Sequence, residues 1–240
     1  MARRDIPLEK RIIFALDVPT GAAARDWVRR LEPRVRFFKV GLQLFLAAGF
    51  GVVDWILARG HEVMLDLKFF DVPETVRLAV AQLAGRGVSF ATVHGNDAIL
   101  RAAVAAKGDV RLLAVTVLTS FDESDLRAMG MTGSVEDLVL RRARRAQELG
   151  CDGIVASGRE AARVRAELGD GLLVVTPGIR PAGPGPGDDQ RRKATAGEAV
   201  AAGADHVVVG RPVRDAADPL VAVTALQDEI AAALAAPAGA

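Results

Sequence analysis

Short apolar runs alternate with amphipathic segments along the whole chain. Runs that are apolar on both faces are typical of parallel strands covered by helices on both sides. Eight such runs are predicted strands: Arg11–Val18, Arg36–Gly41, the run that starts at Val63, Phe90–Gly95, Leu112–Leu118, Gly153–Ser157, Leu172–Thr176 and His206–Val209. Helices are predicted over Ala22–Leu31, up to Ala58, and over Pro73–Arg86, Asp122–Met129, Val135–Leu149 (capped by Ser134) and Pro219–Leu234.

Eight strand–helix units in 240 residues predict an α/β fold, a single (β/α)8 TIM barrel that spans residues 1–240. The tail, from about residue 231, is expected to fray. The alternative is an open, doubly wound sheet. The turn after the first strand, Asp17–Gly21, lacks the Gly-x-Gly-x-x-Gly pattern with which such sheets bind dinucleotides, and this favours the barrel.

Composition argues against several classes of partner. A net charge of +1 provides no basic field for nucleic acid, and no run approaches the roughly 18 apolar residues of a membrane span. The single Cys151 excludes an intrachain disulfide, fits a reducing compartment and is expected to fill the core. Arg3 and Arg4 resemble the start of an export signal, but charged residues from Asp5 onward replace its apolar core. We therefore expect a cytoplasmic protein without nucleic-acid or membrane partners.

The third strand carries the most distinctive chemistry. Its side chains alternate between two faces, so Met64, Asp66 and Lys68 share one face. Placing Asp66 and Lys68 inside the protein costs several kcal/mol per ion before their pairing offsets it. Such a pair either only orients the strand or takes part in a reaction.

Lysine usage favours the reaction. The 31 basic residues comprise 26 arginines and five lysines, at positions 10, 39, 68, 107 and 193. Lys39 and Lys68 both lie inside apolar runs, where this arginine-rich chain has nonetheless kept lysine. Arginine keeps its proton in proteins, whereas lysine can release it. We therefore infer proton transfer, or a compact charge beside a reacting atom.

In a barrel, catalytic residues lie at the carboxyl ends of the strands. The polar residues at these ends are Asp17, Lys39, Asp66, Lys68, His94, Thr119, Ser157, Arg180 and Arg211. The last two loops commonly bind phosphate, and Gly178 and Gly210 let backbone N–H groups approach an anion beside Arg211. The Pro- and Gly-rich segment Pro181–Arg192 is predicted to be a lid, from which Gln190 or Arg191 reaches the ligand.

No group of His, Asp and Glu has the spacing of a metal site. Asp66 and Asp71 have Lys68 between them, which supplies a cation in place of Mg²⁺. His61, just before a strand, is expected to be exposed, and His206 is expected at the amino-terminal face, which serves stability. We therefore expect no metal in the site.

Seven motifs now point to one family. The longest is DLKFFDVPETV at Asp66–Val76; the others are FALDVP at Phe14–Pro19, FFKVG at Phe37–Gly41, VTVLTS at Val115–Ser120, TPGIRP at Thr176–Pro181, DQRR at Asp189–Arg192 and VVGRPV at Val208–Val213. In this order and spacing, the chain resembles orotidine 5′-monophosphate decarboxylases of the bacterial type over nearly its whole length. The resemblance implies conversion of orotidine 5′-monophosphate to uridine 5′-monophosphate and CO₂, the last step of de novo pyrimidine biosynthesis, without a cofactor.

The resemblance also implies roles for individual residues. Lys39, Asp66, Lys68 and Asp71 would form an alternating charge network in which Lys68 protonates C6 of the pyrimidine. Substrate contacts would come from Asp17, Lys39, Asp66, Thr75, Thr119, Arg180, Gln190, Gly210 and Arg211. In the family, Asp71 and Thr75 reach into the neighbouring subunit's site, so a homodimer is expected.

Two other functions remain open. A related barrel with the same Asp-x-Lys-x-x-Asp core would act on sugar phosphates, as a decarboxylase or aldolase, and would require Mg²⁺. A barrel that only binds phosphate would have no need of Lys39 and Lys68 inside apolar strands.

Overall fold

Eight parallel strands close into a barrel in the computed structural model, which describes residues 5–181 and 193–236. Each strand pairs with the next along the chain, and the last pairs with the first. The strands, β1 to β8, are Ile12–Ala15, Phe37–Gly41, Glu62–Phe69, Phe90–Val93, Arg111–Val115, Gly153–Val155, Leu173–Thr176 and His206–Val209. The predicted barrel is confirmed, and the open sheet is excluded.

Helices connect the strands and surround the barrel. Their bounds, for α1 to α11, are Leu8–Arg11, Gly21–Leu31, Leu42–Ala58, Pro73–Ala81, Asp97–Ala106, Glu123–Ala128, Val135–Glu148, Gly158–Leu168, Ala196–Ala201, Arg211–Arg214 and Pro219–Ala235. The predicted start signals act as expected: Pro73 follows the N-cap Val72, and the Ser134 side chain accepts a hydrogen bond from the Asp137 amide.

Five predicted ends of strands and helices were wrong, and two of them have identifiable reasons. β1, β4, β5 and β6 end two or three residues before their predicted ends. After β5, Val117 and Leu118 are apolar because they line a cavity at the barrel mouth, although they lie outside the ladder. α4 ends at Ala81 and not at Arg86, because the chain then turns through Gly85 and Gly87 with φ values of +73° and +79°.

The core has two parts. Inside the barrel, alternate strand positions pack together: Ile13, Ala15, Phe37, Met64, Phe90, Leu113, Val115, Val155, Val175 and Val208. A larger cluster fills the space between the strands and the helices. Met64 belongs to the inner cluster and Leu65 to the outer one, so the predicted alternation of β3 is confirmed there. The packed interior closes the barrel below its carboxyl-terminal mouth.

The prediction that His61 is exposed was wrong. Its side chain is fully buried, its ring packs edge-on against Phe38 with centroids 5.3 Å apart, and Nε2 lies 3.3 Å from a carboxylate oxygen of Glu32. Burial lowers the pKa of His61 below its usual value. The partner Glu32 comes from the end of α2, 29 residues earlier, so the local sequence gave no sign of it.

His206 and Cys151 lie where the sequence placed them. His206 is buried at the amino end of β8, where its Nδ1 lies 2.8 Å from the Lys10 carbonyl oxygen, and burial lowers its pKa to about 4. Cys151 is buried, which raises the pKa of its thiol to about 11. Both residues serve the core.

The chain ends in a long helix. α11 continues through Ala235, so the part of the tail from residue 231 to Ala235, predicted to fray, is helical. Residues 237–240 lie outside the described residues. In the ranges 5–181 and 193–236, no helix is both long and apolar enough to cross a membrane.

Candidate active site

A cavity of about 690 Å³ opens at the carboxyl-terminal mouth of the barrel. This volume is in the range of small-molecule sites. Eight residues predicted for the site line it: Asp17, Lys39, Asp66, Lys68, Thr119, Arg180, Gly210 and Arg211. The structure therefore brings together side chains from β2, β3 and the loop after β1 with residues from the segments that follow β5, β7 and β8.

Four charged groups alternate in sign along one wall of the cavity. Lys39 Nζ lies 3.2 Å from Asp17 Oδ1 and 3.4 Å from Asp66 Oδ2, and Lys68 Nζ lies 2.9 Å from Asp66 Oδ1. Asp66 thus holds one lysine with each carboxylate oxygen. A side chain at Gly41 would place its Cβ 3.2 Å from Lys39 Nζ, so glycine leaves room for this ammonium group.

The charges of the wall stabilise one another. Burial alone would raise the pKa of Asp66, but the ammonium groups of Lys39 and Lys68 and hydrogen bonds from Lys68 and Thr92 outweigh it and lower that pKa. Burial alone would lower the pKa of Lys39, but Asp66 and Asp17 outweigh it and raise that pKa. Asp66 is therefore an anion and Lys39 a cation at neutral pH.

The two lysines differ in exposure, which the sequence did not predict. The Lys39 side chain is 12% exposed, and that of Lys68 is 35% exposed. Lys39 is held between two carboxylates, whereas Lys68 projects from Asp66 towards the cavity. Of the two, Lys68 is the one more open to a bound molecule.

Lys68 also has an unusual backbone conformation. Its φ is +49°, and within the described parts of the chain no other residue except glycine has a positive φ. Such a conformation costs about 1–3 kcal/mol, and it persists only where the surrounding structure holds it. The pairing of β3 with β4 shifts register between Leu65 and Phe69, at the same place. A bulge of this kind re-aims a side chain, here that of Lys68.

Sequence reasoning missed Thr92, on β4. Its hydroxyl accepts a hydrogen bond from the Lys68 amide and donates one to Asp66 Oδ1, both at 2.9 Å. A buried threonine in an apolar strand gives no sign of this role, because its partners lie 24 and 26 residues away.

A second wall of the cavity is suited to an anion. It is formed by Gly178, Arg180, Gly210 and Arg211, from the loops after β7 and β8. Gly178 has φ +80°, a conformation that favours glycine. A Cβ at Gly210 would lie 3.7 Å from Asp17 Oδ2, so the two walls meet where β8 pairs with β1.

Asp71 and Thr75 do not line the cavity. Both are exposed, and Asp71 Oδ1 accepts a hydrogen bond from the Val72 amide at 2.6 Å. In the described residues, the carboxylate that contacts Lys68 is that of Asp66. A single copy of the chain therefore holds three members of the predicted four-residue network together and leaves Asp71 outside.

Other residues that the sequence placed at the strand ends or in the lid do not line the cavity or lie outside the described residues. His94 stacks edge-on with Phe70 at 5.2 Å, and buried Ser157 caps α8; neither lines the cavity. Gln190, Arg191 and the rest of the predicted lid beyond Pro181 lie outside the described residues. Among the described residues, no three His, Cys, Asp or Glu side chains form a group that could hold a metal ion.

Comparison with known proteins identifies the family of this chain. The sequence profile of the orotidine 5′-phosphate decarboxylase / HUMPS family matches residues 10–226. The chain belongs to this family. Orotidine 5′-phosphate decarboxylase of Methylococcus capsulatus is 52% identical over 231 residues, which cover 96% of each protein. The enzyme of that name from Stenotrophomonas maltophilia is 50% identical, over 98% of this chain and all of the relative.

Solved structures of the same family resemble the fold of this chain. The crystal structure of orotidine 5′-phosphate decarboxylase from Lactobacillus acidophilus superposes with a TM-score of 0.80 at 33% identity, covering 92% of this chain and 99% of that chain. The one from Pyrococcus horikoshii gives a TM-score of 0.75 at 27% identity, with the same coverage. The family resemblance found in the motifs is confirmed.

Proposed function

We propose that this protein converts orotidine 5′-monophosphate to uridine 5′-monophosphate and CO₂, the last step of de novo pyrimidine biosynthesis. The observation that carries the proposal is the alternating row Asp17–Lys39–Asp66–Lys68, which faces a cavity with Arg180 and Arg211 on its other wall. The same activity is supported by the names of relatives that are about 50% identical in sequence over nearly the whole chain. Formation of uridine 5′-monophosphate by the purified protein is the first test.

The cavity suits a nucleotide with a defined orientation. The phosphate would bind Arg180 and Arg211, whose guanidinium groups form paired hydrogen bonds with phosphate oxygens, and the Gly210 amide. Asp17 and Lys39 would hold the ribose, and Thr119 would face the pyrimidine. Gln190, which lies outside the described residues, would also bind the phosphate. This orientation places C6 of the ring near Lys68.

Lys68 would supply the chemistry. When the bond between C6 and the carboxylate breaks, its electron pair stays on C6 and CO₂ leaves. The ammonium group of Lys68 stabilises this developing negative charge from a fixed position, and then transfers a proton from Nζ to C6. Asp66, 2.9 Å from Nζ, keeps the ammonium group in place. Asp71 from a second copy of the chain would be the other carboxylate beside it. No step of this route requires a cofactor or metal ion.

The active form would be a homodimer. Around the mouth, four large apolar side chains are exposed at the start of α3 and after the neighbouring strand β3: Leu42 by 55%, Leu46 by 84%, Phe70 by 67% and Val72 by 63%. Contiguous exposed apolar surface marks interaction sites. Exposed Asp71 lies between Phe70 and Val72 in the sequence, and exposed Thr75 lies in the first turn of α4, so a second copy that covers these apolar side chains would receive both. We propose that they complete the partner's site, and that the dimer acts in the cytoplasm without nucleic-acid or membrane partners.

Arg211→Ala is expected to raise the KM for orotidine 5′-monophosphate by about 10- to 100-fold, the effect of losing hydrogen bonds to a charged group. Turnover should fall as well, because binding energy from the phosphate is used at the reacting centre. The nucleoside orotidine should be a poor substrate for the wild type and hardly affected by the substitution. The measurement is steady-state kinetics with both substrates.

The control is Arg101→Ala, because Arg101 is an exposed arginine paired with Asp97 on the outer helix α5. Its kinetics should match those of the wild type. If Arg211→Ala impairs nucleoside and nucleotide equally, Arg211 has a structural role and does not bind phosphate.

A further inference from the structure

We propose that Thr92 is a positioning residue of the active site, whose hydroxyl holds both the backbone turn at Lys68 and the carboxylate of Asp66. The inference rests on the proposed function, because it concerns the aim of the group that donates the proton. Thr92 is fully buried and does not line the cavity, so it acts through its two neighbours.

The three residues form a closed ring of hydrogen bonds. The Lys68 amide donates to Thr92 Oγ1, the Thr92 hydroxyl donates to Asp66 Oδ1, and Lys68 Nζ donates to the same oxygen, each at 2.9 Å. One hydroxyl therefore ties the main chain of Lys68 to the oxygen that holds its ammonium group. The start and the end of the lysine side chain are fixed by a single side chain.

The ladder between β3 and β4 explains why this hydroxyl is needed. Leu65 pairs with Ala91 and Phe69 with Val93, so three residues of β3 face Thr92 alone. Lys68, with φ +49°, turns its amide out of the regular ladder. A buried amide without a partner is unfavourable. The Thr92 hydroxyl replaces the missing backbone acceptor, and its own proton then has Asp66 as its acceptor.

The chemistry of the ring restricts the residue at position 92. Both functions require a group that accepts and donates at once, which a hydroxyl does and an alkyl group does not. Valine has the shape of threonine without this group, whereas serine keeps the group. Thr116, on the adjacent loop after β5, is also fully buried, but its hydroxyl donates to the Val155 carbonyl, outside the ring.

The test compares Thr92→Val, Thr92→Ser and the control Thr116→Val, with the wild type in the same assay of orotidine 5′-monophosphate turnover. Displacement of a catalytic group by about 1 Å can cost about 100-fold, so the kcat of Thr92→Val should fall by about 10- to 100-fold. Its KM should stay within about threefold, because the substrate contacts remain. Thr92→Ser and Thr116→Val should keep kcat within about threefold of the wild type.

Three results would overturn the role: a kcat of Thr92→Val within about threefold of the wild type, equal loss in the valine and serine variants, or equal loss in Thr116→Val. If Thr92→Val does not fold, Thr92→Cys takes its place, since a thiol is a weak donor and acceptor. Its kcat should then lie at least about tenfold below that of Thr92→Ser, and equal values would contradict the role.

A second readout needs no substrate. The Lys68 amide should exchange with deuterium at least about tenfold faster in Thr92→Val, or in its substitute Thr92→Cys, than in the wild type or Thr92→Ser. Unchanged exchange would show that Thr92 does not hold the turn. Should the wild type fail to convert orotidine 5′-monophosphate, the proposed function fails, and amide exchange still decides whether Thr92 positions Lys68.

Discussion

Lys68→Ala is expected to lower turnover of orotidine 5′-monophosphate by more than about 10³-fold while the barrel stays folded. Loss of one preorganised charged donor typically costs about 10²–10³ in rate, and this substitution also removes the proton donor. The Lys68 side chain is 35% exposed towards the cavity, so its removal leaves no packed core defect. Lys68→Arg should also fail, because arginine keeps the charge but does not transfer the proton. Single-turnover kinetics, with circular dichroism as a check of folding, measure both variants.

Lys107→Ala is a matched control. Lys107 is also a half-buried lysine paired with a carboxylate, 2.6 Å from Asp152, but it lies at the end of α5, away from the cavity. Its loss should leave turnover within about threefold of the wild type. Turnover of Lys68→Ala within about tenfold of the wild type would refute the role of Lys68.

The second large effect concerns sites shared between subunits. Lys68→Ala and Asp71→Ala should each be nearly inactive alone, yet a mixture that exchanges subunits should recover about a quarter of the wild-type activity. Random pairing of equal amounts makes half of the dimers mixed, and in each of these one of the two sites is intact. The prediction is motivated by Asp71, which is exposed and lies outside the cavity of its own chain.

Lys39→Ala mixed with Lys68→Ala is the control for subunit exchange. Both lysines contact Asp66 of their own chain, at 3.4 and 2.9 Å, so every site in such a mixed dimer lacks one of them. This mixture should stay inactive. If the Asp71 mixture also restores nothing under conditions of demonstrated exchange, Asp71 serves its own chain and the shared site is wrong.

The barrel could be predicted because it depends on local patterns. Each strand is a short run that is apolar on both faces, and such runs need no distant information. The alternation of Met64 and Asp66 on one face of β3 follows from the same geometry. Asp17, Lys39 and Arg211 could be placed at one mouth because parallel strands of a barrel all end on the same side.

The features that the sequence did not predict depend on contacts between residues far apart in the chain. Buried His61 pairs with Glu32, 29 residues earlier, and the Lys68 amide donates a hydrogen bond to Thr92 on the next strand. A one-dimensional pattern carries no sign of a bulge that sets three residues against one. The sequence therefore indicated which charged groups meet at the mouth of the barrel, but not how Lys68 is aimed.

The most direct test of the central claim, that lysine and aspartate side chains alone perform this decarboxylation, is turnover of orotidine 5′-monophosphate with and without a chelator. After treatment with excess EDTA and removal of the chelated metal, the protein should form uridine 5′-monophosphate with unchanged kcat and KM. Added Mg²⁺ should have no effect. Loss of activity in EDTA that Mg²⁺ restores would contradict the account and would favour the metal-dependent chemistry of a sugar-phosphate barrel.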